Sequence, residues 1–294
     1  MAVRQRTRNP LSRFFRVLWR KARTLKRLVF PPTYDPFTAE SAAGAQVAYF
    51  FADSPSRIYQ IAQWLPVIEK LGADTFRFWS ASEINHGYDF RCNEQKIEST
   101  KKFLSKLWNV SRFLSSFPVI DSGIPNASDK WILSELDKLV KECKKGYEEY
   151  NFFIPAIAIR EFTWNVFAAH YIEMVKARAY GIDFSDEERD GAIFTLHKTL
   201  ETILKLLAPI TPFITEHLWK ILYSNESIHK QKQVNVENIE EQTEVTKEIS
   251  EFNSKVWNEK KSQNLSLKDS IKIEIPESLE SFKKDLKSMH NLVD

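Results

Sequence analysis

Apolar residues recur at helical spacing through most of this chain, and very little glycine interrupts them. Between Gln95 and Leu114 the positions Ile97, Leu104, Leu107, Val110 and Leu114 share one face. Ile132, Leu136, Leu139, Cys143 and Tyr147 mark a second such face, and Phe162, Val166, Ala169, Ile172 and Val175 or Lys176 a third. The punctuation is also helical. Ser185-Asp186-Glu187-Glu188 is a capping box, and it opens a helix that runs to Leu207. Pro209 and Pro212 stop that helix, and Pro212 suits the first position of the next, through Leu222. Only 7 of the 294 residues are glycine, too few for the tight turns of a sheet-rich fold or for a glycine-rich phosphate loop. The expectation is a mainly α fold: an antiparallel helix bundle, preceded by one βα unit and followed by a small α+β element.

Six segments follow from composition and patterning. Residues 1–36 are a basic amphipathic leader, with ten Arg and Lys and no acid in the first thirty positions. The total charge of +3 therefore leaves the rest of the chain at −7, so any basic surface there must be local. Phe14, Phe15, Leu18, Leu25 and Leu28 fit one face of a leader helix that would suit an anionic membrane or nucleic acid; a solvated tail is the plain alternative. The leader lacks the continuous apolar run of a signal peptide or membrane span. Residues 45–70 read as a βα unit: the apolar run Val47 to Phe51, the cap Asp53-Ser54-Pro55, then Ile58, Ile61, Leu65 and Ile68. A junction segment spans 71–93, the bundle 94–223, a polar connector 224–246, and the terminal α+β element 247–294. In that last segment a helix is expected near 247–261, then a strand Ile271, Ile273, Ile275, then a helix from Glu277 to His290.

The chemistry the sequence offers is recognition of anions. On a helical wheel Lys101, Lys102, Ser105, Asn109 and Arg112 fall in one stripe with Glu98, and Phe113 lies beside it. Arg91, Lys96, Lys101, Lys102, Lys106 and Arg112 stand against Glu94 and Glu98, a local +4. Such a stripe can hold phosphates while an amide and a ring meet an unpaired base; an ordinary solvated helix face is the alternative. Arg160, Lys176 and Arg178 are further candidates near the bundle surface. Arg77, between Phe76 and Phe78, is expected to pair with a carboxylate at the junction, with RNA as the alternative partner. Trp79, Trp108, Trp131, Trp164 and Trp219 could serve as stacking platforms, but their spacing puts most on apolar faces and core packing is the expectation; His170 is expected as a core histidine. His197 and His217 are too isolated for a metal site, and the adjacent acids Asp186/Glu187 and Glu240/Glu241 belong to a cap and a connector. Cys92 and Cys143, far apart, fit reduced cytosolic thiols. No catalytic residue and no metal ligand is assigned.

Several phrases together resemble a known family. GADTFRFWSASE, GYDFRCNEQKIE and KKFLSKLWNVSRF, then DKWILSELDKL, FTWNVFAAHYIEMVKARAYG, LKLLAPITPFITEHLWKILY and KVWNEKKSQNLSLKDSIKIEIPESL, follow the order of class I valyl-tRNA synthetases. The resemblance covers about residues 67–294 and corresponds to the carboxyl-terminal part with its anticodon-binding helical bundle. It implies tRNA as partner, valine-specific, and a parent reaction of ATP-dependent aminoacylation with ATP and Mg as cofactors. The HIGH and KMSKS motifs and the editing domain do not occur in this sequence, so the chain by itself is expected to bind rather than ligate, with no cofactor of its own. Residues 1–66 resemble instead the amino terminus of CDP-glycerol glycerophosphotransferase-like glycosyltransferases. The alternatives are therefore a membrane-associated transferase fragment, or a chimeric product joined near Trp64 to Lys70.

Overall fold

A computed structural model describes residues 66–83, 94–232, 234–235 and 243–293. The leader, the βα unit up to residue 65, Arg91, Cys92 and Glu240/Glu241 lie outside the described residues.

A helical stretch over 66–71 meets α1 (Ala73–Glu83) at Gly72, whose φ of 88° is left-handed and suits a residue without Cβ. The segment GADTFRFW is thus largely one helix. It packs on α2 (Glu94–Leu114): Phe78 stacks on Phe103 with ring centroids 4.6 Å apart, and Leu71, Trp79 and Ile97 form a small core of their own. The apolar positions named for α2 are all buried, as the helical period requires.

Next come α3 (Ala127–Glu148), α4 (Phe153–Glu161), α5 (Ile172–Ala179), α6 (Asp186–Leu207) and α7 (Pro212–Leu222). Helices α3 and α6 run the same way. The Tyr147 hydroxyl donates to the Leu206 carbonyl at 2.6 Å near their carboxyl ends, and Asp129 lies close to Gly191 near their amino ends. The run α4 to α5 returns antiparallel between them, carrying Tyr171 and Arg178 back to Asp129. One core holds these helices together, with Trp131, Phe167, Tyr171, Leu200 and Leu204 fully buried. The result is the mainly α bundle that the periodicity predicts.

Both punctuation marks in the sequence are used. The Ser185 hydroxyl accepts from the Glu188 amide at 3.2 Å, and the Glu188 carboxylate accepts from the Ser185 amide at 2.9 Å. Pro212 stands at the start of α7. Ser185→Ala removes one side of the box and should cost about 1 kcal/mol, read as a lower urea midpoint with unchanged slope.

The third predicted face is shifted. Between α4 and α5, residues Phe162–Tyr171 are π-helical, and the buried positions become Phe162, Thr163, Phe167, Ala168, His170 and Tyr171. Val166 and Ala169, expected in the core, are half-buried. Bonds from i to i+5 widen the turn, so the buried side leaves the 3.6-residue period.

The terminal element is α8 (Thr243–Ser262), a 3₁₀ turn Glu277–Phe282 and α9 (Lys283–His290). The strand expected at Ile271 to Ile275 is reduced to one parallel bridge, and the partner the sequence left unnamed is Leu292. The Ile271 amide donates to Asn291 and Val293 donates back to Ile271. A strand so short, with no second neighbour among the described residues, does not extend into a sheet there. The connector is not uniformly solvated either: Ile228 is buried, and Glu216 accepts from its amide and from Ser227, each at 2.9 Å.

Candidate nucleic-acid interface

The amphipathic period of α2 turns its apolar side inward, which leaves the polar stripe outside. Lys102, Asn109 and Arg112 are exposed, and Lys101 and Phe113 are half-buried. Arg112 sits in the last turn, where the helix dipole favours a cation. Lys96 is exposed and bound to Glu83 at 2.9 Å. A second element joins the stripe. Lys176 of α5 places Nζ 5.7 Å from the centroid of the Phe113 ring while resting 3.2 Å from Glu173. Lys106 lies over Trp164 at 5.9 Å. The π-helical stretch and α5 therefore run beside α2, and one surface combines its cations with Lys176, Phe113 and Trp164. Arg160, half-buried at the end of α4, is 3.5 Å from Glu161.

Arg178 does not belong to that surface. It is fully buried, and its guanidinium makes two parallel bonds to Asp129, at 2.7 and 2.8 Å. Its Nε stands 3.2 Å from Asp285 Oδ1, an ion pair with the hydrogen off the line. Tyr171 donates to Asp129 at 2.6 Å. Burial opposes the charge on Arg178, but Asp129 and Asp285 outweigh it and hold the guanidinium firmly protonated. Burial pushes Asp285 above the usual carboxylate range, with Arg178 opposing. Buried guanidinium in a bidentate pair has no donor left for a phosphate at the surface, so the expected RNA role of Arg178 is corrected to a structural one.

Arg77 is a second correction. Its Nε donates to the Ile210 carbonyl at 2.8 Å and its Nη2 to Pro209 at 3.0 Å, where α6 ends. The carboxylate nearby, Asp74, accepts from the Ile214 amide at 2.7 Å in the first turn of α7. One turn apart on α1, the two side chains hold the carboxyl end of one helix and the amino end of the next. Each charge meets the helix end of opposite sign, which explains why Arg77 takes carbonyls rather than a carboxylate.

The histidines also have structural partners. His170 is buried with Nδ1 2.9 Å from Asn253, and His217 stacks on Trp108. His197 lies 3.2 Å from the Tyr223 hydroxyl. Among the described residues no group of His, Cys, Asp and Glu could hold a metal ion. Asp186 and Glu187 occupy the first turn of α6, as their place behind a cap predicts. A groove between α3 and α4 is lined by Glu135, Glu142 and Glu161 against Lys138, and it reaches Asn165 and Val166, so an acidic rim borders the residues beside Trp164.

Trp164 departs from the expectation of core packing. Trp79, Trp131 and Trp219 are buried as expected, but Trp164 is 38% exposed. The helical period already gives the sign: position 164 lies about 200° from Phe162 and from Val166, opposite the apolar face predicted for this stretch.

The profile of the family described as "Anticodon-binding domain of tRNA ligase" matches residues 129–275, half of the chain. The valine–tRNA ligase of Aeropyrum pernix is 38% identical over 237 residues, covering 76% of this chain and 29% of its own length. That of Pyrobaculum aerophilum is 39% identical over 243 residues, covering 78% and 30%. The chain thus spans less than a third of the curated relatives it matches. A solved LeuRS–tRNA–LeuAMS complex from Agrobacterium radiobacter K84 is similar at 17% identity with a TM-score of 0.47, over 58% of this chain and 20% of that one. On the profile match over half its length, with valine–tRNA ligases as matching relatives, the chain belongs to the family of the anticodon-binding domain of tRNA ligase.

Proposed function

We propose that this chain binds tRNA through the exposed side of α2, as the anticodon-binding portion of a valine–tRNA ligase. The observation that supports the reading is the stripe itself. Lys101, Lys102, Asn109 and Arg112 line a helix whose neighbour adds Lys176 beside Phe113. Cations on successive turns hold phosphates without regard to sequence, while an amide and a half-buried ring offer contact to an unpaired base. The parent reaction is ATP-dependent esterification of valine to tRNA. This chain supplies binding and positioning, and ATP and Mg belong to the parent's catalytic portion. The choice of valine rests on the relatives' names, and a cytoplasmic location goes with it.

Titration of valine tRNA against the wild type and the triple variant Lys101→Ala/Lys102→Ala/Arg112→Ala, across a salt series, tests the site. Loss of three phosphate contacts should flatten the slope of log K against log salt by about 2 to 3. Affinity near 0.1 M salt should drop by at least roughly ten-fold. Tight binding with an unchanged salt slope in the triple variant would remove the stripe from the interface.

A further inference from the structure

Trp164 stands apart from the other large side chains of the π-helical stretch. Phe162, Phe167 and Tyr171 turn inward, whereas the indole of Trp164 is left 38% exposed. An indole on the surface forgoes the burial that normally decides its place. The neighbourhood carries both signs, with Lys106 over the ring and Glu161 one turn away on the ring's own helix. Lys106 Nζ lies 5.9 Å from the ring centroid, at the outer limit of a cation–π contact, so the ammonium can turn to a phosphate beside the ring. Lys106 follows Lys102 by one turn of α2 and precedes Asn109 by one, which makes the indole continuous with the stripe. The acid next to it, Glu161, is held by Asn165 at 2.5 Å and approached by Arg160.

We propose that Trp164, with Lys106 at its ring, is a stacking platform for an unpaired RNA base. The bundle then prefers a looped or single-stranded segment to a duplex. The flat face accepts any base, and Lys106 holds the phosphate of the stacked nucleotide. The inference rests on the tRNA-binding reading above and assigns that surface a ligand geometry. Paired bases present no face to the indole, so a duplex gains only the phosphate contacts of α2.

The test uses the full chain with two labelled RNAs, an anticodon stem-loop and a duplex of the same stem without the loop. Trp164→Ala should weaken the stem-loop about ten-fold and leave the duplex unchanged, while Trp164→Phe keeps most of the affinity. If the wild type binds neither RNA, the tRNA reading itself fails; if the triple α2 variant binds as the wild type does, the α2 stripe and the platform argued as its continuation are both rejected. If the α2 variant is weakened but Trp164→Ala is not, only the platform is rejected. Equal weakening of both RNAs by Trp164→Ala, or a Trp164→Phe protein as weak as the alanine variant, also rejects stacking. Should the alanine variant not fold, the fluorescence difference between the wild type and Trp164→Phe decides. It should be quenched by the stem-loop and not by the duplex; absence of that quenching overturns the proposal.

Discussion

Arg178→Met should unfold at a far lower urea concentration than the wild type, with a loss of about 3–5 kcal/mol. Methionine fills much of the volume, but it leaves Asp129 and Asp285 facing each other with no cation between them. Both carboxylates are buried, so water cannot take over the missing bonds. Against a total stability of about 5–15 kcal/mol for a typical domain, that loss is large. Asp129 also accepts from the Asn126 amide at 3.0 Å as the acid of a capping box, and from Tyr171, so the start of α3 should loosen with it. Asp285→Asn keeps the bidentate pair and should cost distinctly less. A loss below about 1 kcal/mol in Arg178→Met would mean that the pair is held no more tightly than a surface ion pair. The same cluster ties the terminal element to the bundle, since Asp285 comes from α9, Asp129 from α3 and Arg178 from α5.

Acid should loosen that element through a second buried cluster. Asn253 of α8 lies 2.9 Å from His170 Nδ1 and 2.7 Å from His290 Nε2, and Lys260 donates to the His290 carbonyl at 2.7 Å. An amide offers one donor side and one acceptor side, so this chain of contacts accommodates at most one imidazolium. Burial lowers both histidines. His290 is brought to about 4 by burial first, then by the charge of Lys260 and by His170. The ordinary imidazole value is about 6.5. Above it neither the folded nor the unfolded chain binds the proton, and stability does not change on this account. Between pH 6.5 and about 4 the unfolded chain takes up a proton that the folded His290 refuses. Stability must therefore fall as pH falls through that window, by up to about 1.4 kcal/mol per pH unit and ~3 kcal/mol in all. Urea midpoints at pH 7.0 and 4.5, for the wild type and His290→Asn, check the assignment. The variant starts lower at neutral pH and loses less on acidification. Identical losses would place the acid sensitivity elsewhere.

The legible part of this molecule is what repeats along the chain. The buried side of α2, the box at Ser185 and Glu188, the stop at Pro209 and the restart at Pro212 are local facts. Each depends on residues within a turn or two, and the backbone must satisfy them wherever the helix lies. The stripe of Lys101, Lys102, Asn109 and Arg112 was legible for the same reason: once the apolar side is fixed, the opposite side is fixed too. The phrases that carry the family resemblance were likewise readable, and the profile match over 129–275 agrees with them.

Charge partners were not legible, because a charged residue in a helix reads alike whether it faces water or a buried acid. Arg178 and Lys176 are two positions apart on α5. Packing sends Arg178 to Asp129, 49 residues away, and leaves Lys176 at the rim beside Phe113. Arg77 likewise finds helix-end carbonyls more than 130 residues on. The sequence by itself determined where most helices start and stop and which side of α2 and α3 is apolar, since these follow from local bonding and period, and it failed where the π-helical turn breaks that period. Only the tertiary structure decided which helices are neighbours. That choice alone made Arg178 a buried tie, turned Ile271 to Leu292, and left the ring of Trp164 beside the cations of α2.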